Sequence, residues 1–215
     1  MRRLPLVFAA WLGLATGLCL AAAKWPRFPG DLAVTRAAQA VFPGDRAWAR
    51  ALTNMARPPA SHLLLGVALL AGWRFARGRG ALAAALALAA AHGLDRGLKP
   101  AIGRPRPPAD LVEVAGSAAG WSCPSTFALV TAATLGFVAV TAVRGRRGAS
   151  RWWIVSLCAG VLVAGGLARV VLGGHWASDI LISWLLMAGV LAGLILLARP
   201  PRPGASGIAA APGPA

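Results

Sequence analysis

Arg169, His175 and Asp179 fall within one short stretch, Arg-Val-Val-Leu-Gly-Gly-His-Trp-Ala-Ser-Asp. It sets a fixed cation, an imidazole and a carboxylate around a Gly-Gly turn between two long apolar runs. On a helix starting near Gly174, Asp179 lies one turn after His175 and its carboxylate would meet the ring. A carboxylate on one ring nitrogen fixes the tautomer and leaves the other free to attack or to take a proton. Arg169 offers a planar fork suited to phosphate oxygens. The same residues also suit a plain helix hairpin with a capped turn and an arginine reaching to the membrane surface. Taken alone, the triple leaves both readings open.

Upstream, Lys99-Pro-Ala-Ile-Gly-Arg104-Pro-Arg106-Pro107 places a lysine, six residues and then Arg-Pro. Pro124-Ser125 follows in Trp-Ser-Cys-Pro-Ser-Thr-Phe. The order Lys-x6-Arg-Pro, Pro-Ser-x-x and Arg-x5-His-x3-Asp resembles the three signatures of the type 2 phosphatidic acid phosphatase family. These are integral-membrane phosphatases related in active-site plan to soluble vanadium haloperoxidases, and the resemblance spans roughly residues 90 to 180. It implies that Lys99, Arg106, Ser125 and Arg169 hold phosphate. It also implies that His175 attacks phosphorus to form a phosphohistidine, which water hydrolyses, while Asp179 orients the ring and balances its charge. No metal and no cofactor is required in that scheme.

One block departs from the family. Pro-Ser-Gly-His becomes Pro124-Ser125-Thr126-Phe127, so the histidine that protonates the leaving group is missing. An acid catalyst is worth ~10²–10⁴-fold. It matters most for an alkoxide, whose conjugate acid has a pKa near that of water, about 16. It matters least for a phosphate leaving from a diphosphate, whose pKa is about 6. A polyprenyl diphosphate is therefore the favoured substrate among lipid phosphates and diphosphates. The alternatives are a replacement acid, or a catalytically weak or silent protein that binds lipid phosphate headgroups.

Candidates for accessory roles are His92, Asp95 and Thr126. His92 and Asp95 precede Lys99 by seven and four residues, which puts all three on one helical face. Ionisable groups inside a span are functional candidates by default. At 1.5 Å per residue His92 sits roughly 10 Å from Lys99 and would reach only a deep pocket; Asp95 suits a partner for Lys99 or Arg96. Plainer roles also exist: Lys99 and Arg106 as headgroup anchors, Arg104 as an anchor or rim contact, Ser125 as an N-cap.

The elements that must position these groups are apolar. Of 215 residues 58% are hydrophobic and 13% charged, too apolar for an ordinary soluble domain. The net charge of +16 is scattered in short clusters between apolar runs, as in membrane-protein loops, and argues against a nucleic-acid partner. Three cysteines show neither metal spacing nor a disulfide framework. Spans are predicted over 4–23, 60–74, 81–98, 124–143, 152–171 and 177–198. The first is read as an uncleaved span, although its basic start and Ala21-Ala22-Ala23 also fit a signal peptide.

The predicted fold is therefore an all-α integral membrane protein of about six transmembrane helices. Residues 1–200 form one domain, with 24–58 as an interfacial or extracytoplasmic segment that is weakly amphipathic from Leu32 to Met55. Residues 201–215 form a disordered cytoplasmic tail. Arginine-dense connectors at 74–79 and 144–151, with Arg2-Arg3 and Arg199–Arg202, put both termini in the cytoplasm. Parity then carries Lys99, Arg106, Ser125, Arg169 and His175 to the opposite face, in a bacterial inner membrane among membrane lipids.

Overall fold

Backbone groups inside a bilayer have no water to bond, so long apolar runs must satisfy themselves as helices. The computed structural model, which describes residues 4–115, 119–145 and 148–198, is all-helical among those residues. In chain order the helices are α1 (Leu4–Lys24), α2 (Asp31–Val41), α3 (Ala47–Asn54), α4 (Ala60–Ile102), α5 (Thr126–Gly145), α6 (Ser150–Val171) and α7 (Ala177–Leu197). Four segments are long and apolar enough to cross a membrane: Leu6–Lys24, α5, α6 and α7.

The other two expected spans, 60–74 and 81–98, are arms of one element. α4 breaks at Ala76 and Arg77, whose dihedrals leave the helical region. Eight residues of straight helix cover about 12 Å. Yet a Cβ on Gly80 would lie 1.9 Å from the Gly72 carbonyl oxygen, so the chain has doubled back. Ala68, Gly72, Gly80, Ala84, Ala87 and Ala91 are buried, a line of small residues that lets backbones approach closely.

The expected amphipathic piece from Leu32 to Met55 is two helices, because Pro43 and Gly44 interrupt it and Gly44 takes φ +77°. Both helices pack on α6. The cytoplasmic tail assigned to 201–215, and Arg2, Arg3, Arg146, Arg147, Arg199 and Arg202 of the charge argument, lie outside the described residues.

α5 is the most enclosed span, with Phe127–Thr134 and Phe137 buried between its neighbours. It carries a π-helical stretch at Ala132–Gly136, and Thr131, Thr134 and Thr141 return their hydroxyls to carbonyls four residues back. α1 sits on α7 through Trp11, whose Nε1 donates to the Leu185 carbonyl at 2.9 Å and whose ring fills the space over Gly189. Its other faces leave Leu6, Val7, Phe8, Leu12 and Leu14 exposed, as a lipid-facing helix requires. The helix ends at 99–102, 125–126, 169–171 and 175–179 meet at one end of the bundle, joined by the contacts described below.

The close crossing at Gly72 and Gly80 sets an expected outcome. Gly80→Ala must push the arms apart at a cost of about 1–3 kcal/mol, whereas Gly78→Ala, with nothing within 4 Å of the new methyl, is neutral or mildly stabilising. Thermal melting in detergent checks this; equal melting temperatures for the two variants would contradict the hairpin.

Candidate active site around His175

A turn that only glycine tolerates places His175. α6 ends at Val171, and Gly173 takes φ +66° with the Glu113 carbonyl oxygen 2.3 Å from where a Cβ would stand. A side chain there meets both a left-handed backbone and an occupied space. Gly174 follows, and α7 starts only at Ala177 with Trp176 as its N-cap. His175 therefore precedes the helix instead of riding on it, which corrects the expectation of a helix from Gly174. Asp179 Oδ2 accepts the Trp176 backbone N–H at 2.9 Å, closing the first turn. It stands 3.8 Å from His175 Nδ1, beyond hydrogen-bond length.

Ser122 does what Asp179 was expected to do. His175 Nδ1 lies 2.7 Å from the Ser122 carbonyl oxygen, and Nε2 lies 3.2 Å from Arg106 Nη1. A carbonyl only accepts and a guanidinium only donates. The two partners together demand Nδ1–H and a bare Nε2 lone pair, which is the tautomer of a nucleophile or base. Nothing in the sequence near Ser122 announces this, because a backbone carbonyl carries no residue-type signal.

The cations gather around that lone pair. Arg106 is held by three carbonyls: Nη1 donates to Gly174 at 2.6 Å, Nε to Gly120 at 3.0 Å and Nη2 to Ala119 at 3.2 Å. Arg169 lays its guanidinium over Gly174, with Nη2 3.0 Å from the missing Cβ, and its Nε is buried without a hydrogen-bond partner. Both charges act on the His175 ring. Arg57, which the sequence reading passed over, is near enough to act on Arg169. Ser125 caps α5: its Oγ accepts the Ala128 N–H at 3.4 Å, and its own N–H donates to Ser183 Oγ at 2.8 Å.

Lys99 joins the site at the start of α5. Its Nζ donates to Asp95 Oδ1 at 2.6 Å and to Thr126 Oγ1, and Thr126 Oγ1 donates to Asp95 Oδ1 at 2.8 Å. Asp95 is thus the partner of Lys99 and not of Arg96. His92, expected on the same face, is exposed and stands outside this cluster. Phe127 turns its ring onto Gly165 of α6, where an added Cβ would lie 2.3 Å from Cζ. It is a buried core residue.

Arg104 corrects the expectation of an anchor or rim contact. It is fully buried; Nη2 pairs with Asp31 Oδ2 at 2.9 Å and Nη1 pairs with Asp179 Oδ1. Nη1 also donates to Ser178 Oγ at 2.8 Å, and the Phe28 ring covers the guanidinium with 4.7 Å from Cζ to the centroid. Asp31, unremarked in the sequence, accepts from the backbone N–H of Phe28 at 2.8 Å and of Ser178 at 3.1 Å. A carboxylate on the exposed N–H groups of a helix start is favourable twice over, by hydrogen bonding and by the helix dipole.

Burial pushes the His175 pKa down from 6.5 to about 4, helped by the charges of Arg169 and Arg106 and opposed by Asp179. Burial likewise draws Arg106 down, against the pull of Asp179 and Asp95, yet a guanidinium stays charged at neutral pH. Burial raises the Cys123 thiol, so it stays neutral beside the site.

The arrangement defines a class: an all-helical membrane protein with a neutral imidazole facing fixed cations, suited to accepting a phosphoryl group. The sequence model of the PAP2 superfamily matches residues 80–202, and the chain belongs to that superfamily. Among solved structures it is similar to a transmembrane PAP2-type phosphatidylglycerolphosphate phosphatase from Bacillus subtilis. Their identity is 19% and the TM-score 0.69, over 92% of this chain and 96% of the other. No curated protein matches the chain.

The folded pKa of His175 lies below its unfolded value, so its contribution to stability is complete above about pH 6.5 and is lost as pH falls toward about 4. ¹⁵N NMR of histidine-labelled protein in detergent is expected to show the His175 ring as the neutral Nδ1–H form at pH 6. A ring half-protonated at pH 6.5 or above would contradict the geometry.

Proposed function

We propose that this chain is a multi-pass membrane phosphatase that hydrolyses a lipid phosphate or diphosphate through a phosphohistidine on His175 Nε2. The observation that carries it is the His175 ring between an acceptor on Nδ1 and a donor on Nε2. A phosphoryl dianion entering beside Nε2 meets the guanidinium groups of Arg106 and Arg169, which suit its planar oxygen array. The start of α5 adds donors and a favourable dipole.

Nε2 attacks phosphorus in line as the bond to the leaving oxygen breaks. The fixed cations stabilise the charge spread over the equatorial oxygens without moving. The phosphorylated ring becomes cationic; its Nδ1–H stays on the Ser122 carbonyl, and Asp179 at 3.8 Å balances the new charge. Water then displaces the histidine and releases inorganic phosphate.

The absence of a histidine at position 127 favours a diphosphate, and a polyprenyl diphosphate is the reading we prefer. We place the site on the extracytoplasmic side of a bacterial cytoplasmic membrane with both termini inside. The arginine-rich turn of α4 at 74–79, at the far end of its arms from Lys99, supports that orientation.

A second reading is a silent member that binds lipid phosphate without turnover, favoured by the apolar seat of Phe127. Phosphate release in detergent from a panel of monoester and diphosphate lipids separates them. Diphosphates are expected to turn over faster than monoesters, with His175→Ala slowing release at least ~10³-fold. A monoester preference would overturn the leaving-group argument. Equal rates for unaltered protein and His175→Ala would sink the phosphatase itself.

A further inference from the structure

We propose that Lys99 donates the proton to the leaving oxygen, with Asp95 and Thr126 as positioning residues, in place of the histidine that Phe127 displaces. The inference rests on the phosphatase reading above and assigns a residue of that same site. Its starting point is that the acid has gone from position 127 altogether: the Phe127 ring is spent on packing against Gly165. One residue earlier, a hydroxyl has appeared where the family signature has glycine. Thr126 Oγ1 ties Lys99 and Asp95 into a closed cluster at the start of α5.

An ammonium carries three N–H donors. Asp95 and Thr126 take two, which fixes the Lys99 head and leaves the third N–H for an oxygen of the substrate. The Lys99 and Asp95 side chains are only 18% and 19% exposed, so water competes weakly for that donor. Asp95 is also close enough to act on Arg106, whose Nη1 lies 3.2 Å from Nε2 of the attacking ring. Thr126 follows Ser125, whose N–H donates to Ser183 Oγ at 2.8 Å, and Ser183 Oγ donates to the Asp179 carbonyl at 2.6 Å, so the cluster adjoins the turn that carries the nucleophile. Of the site's cations Lys99 is the one whose proton can leave, since a guanidinium does not deprotonate in proteins.

In the first step the Nε2–phosphorus bond forms and the phosphorus–oxygen bond to the lipid breaks. The Lys99 proton passes to that oxygen, giving the lipid monophosphate from a diphosphate or the free alcohol from a monoester, and a neutral amine. In the second step water forms the new bond to phosphorus and the Nε2–phosphorus bond breaks. A proton of that water returns to the amine, so the cycle consumes one water and restores Lys99.

Leaving-group dependence tests this. Lys99→Arg keeps the charge and loses the proton. Purified in detergent, it is expected to lose at least ~10²-fold on an alkyl lipid monoester and less than tenfold on p-nitrophenyl phosphate, whose nitrophenolate departs without a proton. Thr126→Val, which leaves Lys99 untouched, is expected to show the same selective loss in smaller measure, with Thr126→Ser restoring the monoester rate. Equal losses on the two substrates in both variants, or no loss in either, would overturn the proposal and leave Lys99 a phosphate clamp. Failure of the phosphatase reading shows differently, as no turnover of either substrate by the unaltered protein, and overturns both.

Discussion

A fully covered guanidinium between two carboxylates cannot be moved cheaply, because stripping away one partner leaves a buried charge at a cost of about 3–5 kcal/mol. Arg104 is held in that way by Asp31 and Asp179, and three parts of the molecule meet on it. Asp31 opens α2, Asp179 lies in the first turn of α7, and Arg104 itself leads the loop out of α4. The backbone of Arg104 continues the constraint: its carbonyl accepts the Ser122 N–H at 2.8 Å, and the Ser122 hydroxyl bonds it as well. That closure delivers the Ser122 carbonyl to the His175 ring. One buried guanidinium with its two carboxylates thus fixes both the start of α7 and the acceptor that sets the tautomer.

The rest of the site uses what this frame provides. A buried imidazole beside two guanidinium groups is neutral because a third positive charge there would be both desolvated and repelled. In the proposed mechanism neutrality leaves Nε2 free to attack, and the same cations that hold the ring neutral would become partners of an arriving phosphoryl anion. Asp179 is divided between Arg104 and the Trp176 N–H, so its contribution to His175 is a charge at 3.8 Å rather than a hydrogen bond. Phe127 shows the opposite choice. The position holds a ring that fills the notch at Gly165 in the α5–α6 contact and carries no titratable group.

Much of this was legible in the sequence, and the remainder was not for identifiable reasons. Unbroken apolar runs marked α1, α5, α6 and α7 within a few residues, because length and hydropathy alone decide a span. Helix-end arithmetic put Arg106, Arg169 and His175 at one end, where the structure sets them around one ring. The break in α4 fell inside the Arg-rich stretch read as a connector, but the close crossing of Gly72 and Gly80 needed coordinates. Asp31 was invisible because a single aspartate in a polar segment has no periodic signal. Arg104 was misread because its burial depends on Trp25, Phe28 and α7, all distant in the chain. The His175–Asp179 spacing suggested a helical pair, and the Gly173–Gly174 turn overrode it by delaying α7 until Ala177.

His175 presents a bare Nε2 beside fixed positive charge. Rapid acid-free quenching of the protein during turnover, followed by peptide mass spectrometry, reads its fate most directly. A phosphoryl group is expected on His175, stable in alkali, lost in acid, and absent when vanadate occupies the site. A phosphoryl group on Ser125 or Thr126 instead, or turnover with none trapped on His175, would contradict it.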